Sequence, residues 1–86
     1  MSKASRHIER VKSMSCGVCG AGHISSAHHI LEGRIPGFKS PDWLTIPLCW
    51  DCHQGPRGIH GDKSRWKIYK ANELQVLADT LEILYG

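Results

Sequence analysis

Four cysteines, arranged as two Cys-x-x-Cys pairs, constrain the fold of this chain more than any other feature. Cys16 and Cys19 form the first pair, Cys49 and Cys52 form the second, and the sequence contains no other cysteine. A two-residue gap lets a tight turn direct both sulfurs of a pair at one ion, and four thiolates complete a closed tetrahedral zinc site. The sequence therefore predicts a structural Zn²⁺ ion held by all four cysteines.

A chain this short often needs a bound metal or disulfides to stabilise its fold. Its 86 residues suit a single domain over residues 1–86, and three Trp, two Tyr and one Phe make only a small core. The alternative uses of the cysteines are two disulfides in an extracellular domain or a redox-active pair. No strand–helix–strand pattern flanks either pair, as a redox motif would require.

The N-terminal segment helps to predict the cellular compartment of the protein. Residues 1–12 are basic but lead into no apolar run, unlike a signal peptide. No apolar stretch approaches about 18 residues, the length that spans a membrane. We therefore expect no membrane association and a reducing compartment, the cytoplasm, where cysteines bind metal more often than they form disulfides.

The first half of the chain predicts one helix followed by turns and short strands. A helix is expected over Ser2–Met14, because its apolar residues recur three apart, at Ile8, Val11 and Met14. Glycines and prolines interrupt residues 16–53, so knuckle turns and short strands are expected there. The clearest of these strands is predicted over Leu44–Leu48.

The second half alternates loop and helix signals. A loop is expected over Gln54–Gly61 and one or two helical turns over Ser64–Lys70. Asn72 can cap a final helix, with Glu73 adding negative charge to its first turn. Apolar residues at spacings of three and four predict one buried stripe on it, made of Leu74, Leu77, Ala78, Leu81, Leu84 and Tyr85 and widened by Val76 and Ile83. The fold class predicted is small α+β.

Charge is distributed unevenly along the chain. Residues 1–70 hold all 11 basic residues and five of the eight acidic ones, a net of +6, whereas residues 71–86 carry a net of −3. A basic body suits a polyanion such as nucleic acid. An ordinary solvated surface is the alternative interpretation.

Six histidines remain after the cysteines are assigned, and the positions of four of them point to a metal site. His28 and His29 are adjacent, so on an extended chain their side chains point to opposite sides. His53 directly follows Cys52, and a zinc ion at the cysteines would fix its position. With His60, neutral imidazoles can hold one divalent ion with open coordination positions. The alternative is that these are ordinary surface or core histidines.

Several short motifs follow one another between Cys16 and Gly61. After the first cysteine pair come Ala-His-His-Ile at 27–30, Asp-Trp-Leu-Thr-Ile-Pro-Leu-Cys at 42–49, a histidine directly after the second pair, and Gly-Ile-His-Gly at 58–61. This order resembles an HNH endonuclease of the ββα-metal fold, and more closely the phage recombination-enhancement nucleases of the Ref-like group. The resemblance implies an HNH-like core with two CxxC zinc knuckles, flanked by an N-terminal and a C-terminal helix.

The resemblance also implies a role for each histidine. His28 would bind the catalytic ion, His29 would act as the general base, and His53 and His60 would complete the metal site. The Asn that orients the base in the family falls at Asp42. A carboxylate there can hold the other ring nitrogen of His29, or simply begin the strand.

The spacing of the later histidines departs from the family. Six residues lie between His53 and His60, and glycines and a proline among them exclude a regular helix. A loop must therefore assemble the site. His23 is the reserve candidate for the third ligand.

The activity implied is metal-dependent hydrolysis of DNA phosphodiester bonds. The catalytic ion would be Mg²⁺, Mn²⁺ or Zn²⁺, and Arg57 would steady the scissile phosphate. Flanking phosphates would meet other basic residues: Arg34, Lys39, Lys63, Arg65, Lys67 and Lys70. Trp66 is placed to stack a base, although a buried tryptophan is the simpler interpretation. No segment resembles a base-reading module, so little sequence specificity is expected.

The Ref-like resemblance further implies phage recombination or DNA processing, with DNA and a recombinase filament as partners. A phage- or prophage-encoded protein would act in the cytoplasm of the bacterial host. The alternative function is a non-catalytic zinc-binding module that binds DNA or a protein partner.

Overall fold

The computed structural model describes residues 2–22, 25–33, 37 and 40–86. Within these, the protein is a small α+β fold with a two-stranded sheet and four helices, in the order α1 Lys3–Lys12, β1 Ser26–His29, β2 Thr45–Leu48, α2 Trp50–His53, α3 Ser64–Ile68 and α4 Glu73–Tyr85. The α+β class predicted from the sequence is confirmed. In the described part of the chain, no helix is long and apolar enough to cross a membrane.

The two strands form an antiparallel ladder at the centre of the fold. His28 pairs with Ile46 and His29 with Thr45. All four residues of β2 are buried, and the strand runs directly into Cys49, as predicted for Leu44–Leu48. The ladder therefore joins the two adjacent histidines to the strand that leads into the second cysteine pair.

Helix α1 lies within the range predicted for it and packs against both strands. The Ser2 hydroxyl caps it by accepting a hydrogen bond from the backbone N–H of Ser5. Val11 is fully buried, as its spacing predicts, whereas Ile8 is only half-buried. His7 is also fully buried, which the apolar pattern did not indicate.

Helix α4 begins as predicted, with the Asn72 side chain accepting a hydrogen bond from the backbone N–H of Gln75. The predicted stripe is wrong in part, because Leu74 is 50% exposed. Ala78 and Tyr85 are exposed as well. The buried face instead consists of Glu73, Val76, Leu77 and Thr80. This face is turned toward β2 because Glu73 binds residues of the sheet region, a long-range contact that helix periodicity does not encode.

The second cysteine pair spans a single helical turn, α2, with Cys49 at the N-cap and Cys52 inside the helix; the sequence did not predict this helix. The predicted loop 54–61 is confirmed and folds back over α2, with Ile59 N–H donating to the Cys52 carbonyl at 2.9 Å. Gly58 is required there, because a Cβ atom would lie 2.8 Å from the backbone of Cys52 and His53. The loop thereby returns the chain to the histidine that follows the cysteines.

Candidate metal centres

The four cysteines form one compact sulfur cluster. Their Sγ atoms all lie within 4.8 Å of one another, and those of Cys19 and Cys49 are 3.6 Å apart. A tetrahedral zinc ion with Zn–S bonds near 2.3 Å separates its sulfurs by about 3.8 Å. All four cysteines are free, so the structure gives the disulfide alternative no support. The cluster fits a structural zinc ion.

Backbone hydrogen bonds bring the two pairs together. Gly17 N–H donates to the Pro47 carbonyl at 2.9 Å, which fixes the first knuckle against β2. Gly20 N–H donates to the Cys16 carbonyl and closes the turn between the first two sulfurs. In the second pair, helical spacing places Cys49 and Cys52 on one side of α2.

The thiols differ in how readily they ionise. Burial favours the neutral thiol, yet hydrogen bonds from backbone N–H groups, first that of Cys19, lower the pKa of Cys16 to about 7. Burial raises the pKa values of Cys49 and Cys52. Four thiolates side by side, three of them buried, need a compensating cation, and a bound divalent ion supplies that charge.

Arg65 adds positive charge to the same cluster. Its Nε–H donates to the Cys52 Sγ at 3.4 Å, and this contact is the main cause that raises the pKa of Arg65. The sequence analysis grouped Arg65 with phosphate-binding residues; the structure places its guanidinium against the cysteines instead. A cation beside four thiolates offsets the net negative charge of a zinc–tetrathiolate site.

Three histidines form a second cluster. The rings of His28, His53 and His60 have centroids 4.8 to 5.2 Å apart, and one nitrogen from each lies within 4.8 Å of the others. His28 and His53 are buried, whereas His60 is exposed. The histidine cluster is therefore closed where it faces the protein interior and open where His60 faces solvent.

Glu73 holds His28 in place. Its Oε2 atom lies 2.9 Å from His28 Nε2 and also accepts the backbone N–H of Leu31 at 2.8 Å, and its Oε1 accepts that of Glu32. Burial alone would raise the pKa of Glu73, but these hydrogen bonds, with that of His28 the largest, lower it. An ionised carboxylate accepts from His28 Nε2, so the Nε2 atom carries the proton and Nδ1 carries a lone pair.

Ser26 holds His53 in the same way. Its hydroxyl donates to the Leu48 carbonyl at 3.3 Å and lies 3.0 Å from His53 Nδ1, so it accepts from that nitrogen. His53 Nε2 then carries a lone pair, 3.1 Å from His28 Nδ1. Burial and the two neighbouring imidazoles lower the pKa of His53 to about 4. Two lone pairs face each other at this distance, and a bound cation relieves their repulsion.

His29 lies on the opposite side of β1 from His28. Its Nε2–H donates to Asp42 Oδ1 at 2.8 Å, with side chains 27% and 42% exposed respectively. Asp42 is thus placed to orient the imidazole, and Nδ1 is left with the lone pair. Among the described residues, no side chain hydrogen bonds that nitrogen.

A comparison with protein families gave a match over nearly the whole chain. A family model described as a protein of unknown function (DUF968) matches residues 1–85. The chain belongs to the DUF968 family. Searches of the curated proteins and of the solved structures found no significant match. The family match spans both clusters of this DUF968 protein and assigns no activity to either.

The remaining predicted site residues of the DUF968 protein are more scattered. Arg57 is exposed on the loop between His53 and His60. Hydrogen bonds with Ser64 chiefly lower the pKa of Asp62, and the positive charge of Arg57 adds to this effect. Trp66 is 4% exposed and donates its indole N–H to the Cys52 carbonyl, so it belongs to the core and cannot stack a base. His23, Arg34 and Lys39 lie outside the described residues.

Three of the predicted phosphate contacts line one pocket of about 230 Å³, namely Lys63, Lys67 and Lys70. Glu73 lies in its wall, as does Ile59, which precedes His60. This pocket, lined by three lysines and by the carboxylates of Glu32 and Glu73, therefore adjoins the histidine cluster.

Sequence reasoning missed three residues that support the clusters: Ser26, Arg65 as a cysteine contact, and Glu73. A glutamate after a capping Asn is typical of any helix start, so Glu73 carried no distinguishing signal. The two residues of each contact lie 13 to 45 positions apart in the sequence. Only the tertiary fold reveals them.

Proposed function

We propose that this DUF968 protein is a metal-dependent endonuclease of the ββα-metal type that hydrolyses DNA phosphodiester bonds with little sequence specificity. The observation that carries the proposal is that two adjacent histidines of β1 are suited to two different catalytic functions. His28 faces the three-histidine cluster, and the adjacent His29 faces outward with Asp42 at 2.8 Å. Hydrolysis of a phosphodiester needs a base for water and a positive charge for the leaving oxygen, and neighbouring residues of β1 belong to each of these two functions.

In this proposal His29 is the general base. Its Nε2–H is held by Asp42, so the Nδ1 lone pair has a fixed direction and the correct tautomer to take a proton from water. A neutral imidazole is the side chain most often used as a general base near neutral pH. The partial exposure of both side chains leaves room for water and a phosphate group.

His28, His53 and His60 would hold the catalytic divalent ion. When bound, the ion would neutralise the charge that develops on the leaving oxygen. Three neutral imidazoles suit Zn²⁺ and other transition ions better than Mg²⁺, which prefers oxygen ligands. Glu73 and Ser26 fix the tautomers of two of these ligands, and the exposed His60 keeps the site open to a substrate.

The substrate strand would be held through its phosphates. Lys63, Lys67 and Lys70 line the pocket beside Glu73, and Arg57 lies on the loop between two of the histidines. Lys63 and Lys70 both have positive φ, 64° and 52°, a conformation uncommon for residues with side chains and frequent at functional sites. Contacts to phosphates supply affinity without reading sequence. The Ref-like resemblance supports phage recombination or DNA processing, beside a recombinase filament in a bacterial cytoplasm, as the setting.

The proposal is tested by nicking of supercoiled plasmid with Mg²⁺, Mn²⁺, Ni²⁺ or Zn²⁺. Wild-type protein should nick with at least one of these ions, and His29→Ala should not, with an unchanged circular dichroism spectrum. Asp42→Asn should be impaired, whereas Asp79→Asn, a matched change at an exposed carboxylate of α4, should retain wild-type activity. Binding of DNA without cleavage under every ion would overturn the proposal in favour of a non-catalytic zinc module.

A further inference from the structure

A second pocket lies on α1 and shares no residue with the pocket lined by Lys63, Lys67 and Lys70. We refer to it as the α1 pocket. It has a volume of about 260 Å³ and is lined by Lys3, Arg6, Arg10, Trp43 and Tyr85. Among the residues that the structure describes, its walls are three cations and two aromatic rings, with no carboxylate side chain. The sequence analysis assigned none of these residues a role in binding or catalysis.

The three cations share one face of α1. Lys3, Arg6 and Arg10 recur at spacings of three and four, which places their side chains on neighbouring turns of one helix face. No acidic residue lies in the first turn, where positive side chains oppose the helix dipole. In the described part of the chain, none of the three forms an ion pair with a carboxylate. The three side chains therefore present positive charge on one exposed face of the helix.

His7 contacts both aromatic side chains of the pocket, Trp43 and Tyr85, from the protein interior. This fully buried imidazole hydrogen bonds the Tyr85 hydroxyl through Nδ1 at 2.8 Å, and its ring centroid lies 4.9 Å from that of Trp43. Trp43 and Tyr85 nonetheless remain 43% and 49% exposed. Arg10 covers one face of Tyr85, with its guanidinium carbon 5.7 Å from the ring centroid. The exposed indole of Trp43 is therefore a rigid flat surface beside a cluster of cations.

The pocket also has a defined relation to the proposed base. Trp43 directly follows Asp42, whose carboxylate holds His29. The aromatic wall of the pocket is therefore one residue away from the side chain that orients the proposed base. An aromatic surface next to unpaired cations is the combination that binds single-stranded nucleic acid, since the ring stacks a base and the cations meet its phosphates.

We propose that the α1 pocket binds one nucleotide of an unpaired DNA strand, with the base stacked on Trp43 and the phosphate held by Lys3, Arg6 and Arg10. A base in a duplex is already stacked on both faces and cannot use the indole. The pocket thus directs the protein to single-stranded, frayed or branched DNA. This inference rests on the proposed nuclease function for its DNA substrate, but strand binding is measured independently of cleavage.

The test is fluorescence anisotropy with labelled dT12 and a 12-base-pair duplex, in a His29→Ala background so that no strand is cut. The protein should bind dT12 more tightly than the duplex. Trp43→Ala should weaken dT12 binding about tenfold or more, and Trp43→Tyr should restore most of it. Trp50→Ala is the matched control, because Trp50 is 63% exposed and lies outside the pocket.

A second variant guards against misfolding of Trp43→Ala. Arg6 is exposed, and Arg6→Gln should reduce the salt dependence of dT12 binding by about 0.7 in the log–log slope, whereas Lys12→Gln, at a residue paired with Glu9, should change it less. Equal dT12 affinity of Trp43→Ala and Trp50→Ala would overturn the inference, as would equal losses on dT12 and duplex. If plasmid nicking is present in that case, the nuclease function stands alone. Strand binding that depends on Trp43, without any nicking, would instead support the α1 pocket and overturn the nuclease function.

Discussion

The Oε2 atom of Glu73 lies 2.9 Å from the Nε2 atom of His28, although 45 residues separate them in the sequence. The same carboxylate accepts the backbone N–H groups of Leu31 and Glu32, just after β1. The first turn of α4 therefore forms part of the histidine site and fixes which nitrogen of His28 faces it. In metal proteins, carboxylates in this position orient the ligand and raise its basicity.

Glu73→Gln should weaken metal binding at the histidine cluster by about 10- to 100-fold. The amide can accept the His28 proton but cannot accept every hydrogen bond that the carboxylate accepts, and it carries no charge. Isothermal titration with Zn²⁺ or Mn²⁺ measures the change. Glu82→Gln, on an exposed turn of the same helix, is the control and should bind like wild type. Equal affinity in both variants would show that Glu73 does not support the site.

His29→Ala should lower the nicking rate by about 10²- to 10⁴-fold, the usual contribution of a general base. Asp42→Asn should lower it less, because the imidazole remains but loses its carboxylate partner. Single-turnover nicking with excess protein measures both rates. Metal content should stay at the wild-type level in each variant, since neither residue belongs to the histidine or cysteine cluster. A loss of metal together with activity would contradict the assigned roles.

Arg65→Met should accelerate loss of zinc from the cysteine cluster about tenfold. Methionine keeps the apolar stem but removes the N–H donor to Cys52 and the positive charge beside the thiolates. Transfer of zinc to a chromophoric chelator gives the rate. Lys67→Met, on the exposed side of the same helix, should release zinc at the wild-type rate. Identical release from all three proteins would rule out a role for Arg65 at this site.

The free energy of unfolding should fall in acid when the histidine cluster holds no metal ion. The pKa of His53 is about 4 in the fold against an ordinary 6.5, so the unfolded chain binds more protons between these values. The free energy of unfolding should therefore decrease as pH falls below about 6.5, with a limiting slope of about 1.4 kcal/mol per pH unit. Burial lowers the pKa of His7 and adds to the decline.

Urea unfolding at pH 7.5, 6.5 and 5.5 follows this loss, and His53→Gln should show a shallower decline than wild type. Glu73 should contribute nothing in this range. Its pKa is lowered, so its stabilising effect is complete above the ordinary value near 4.3 and disappears only in stronger acid. An unchanged slope in His53→Gln would contradict the assignment of the decline to this residue.

Local sequence rules predict much of this structure. The capped helix after Asn72, the strand before Cys49 and the clustering of both cysteine pairs follow from spacing and turn chemistry. The opposite orientation of His28 and His29 follows from the two-residue period of a strand. These features depend on residues close together in sequence.

The supporting contacts could not be predicted, because they depend on how distant elements meet. Glu73 resembles any first-turn carboxylate until α4 packs against β2 and brings it to His28, and that packing leaves Leu74 exposed while Val76 is buried. Arg65 resembles a surface cation until α3 places it at Cys52. His7 breaks the apolar pattern of α1 yet is fully buried, because Tyr85 supplies its hydrogen bond from the other end of the chain.

Metal analysis of purified wild-type protein beside His28→Ala tests the central claim most directly. The account predicts two ions per chain in the wild type, one for each cluster, and one in His28→Ala, with the cysteine-bound zinc and the circular dichroism spectrum retained. A single zinc ion in both proteins, even after incubation with Mn²⁺ or Zn²⁺, would contradict it and leave only the cysteine site.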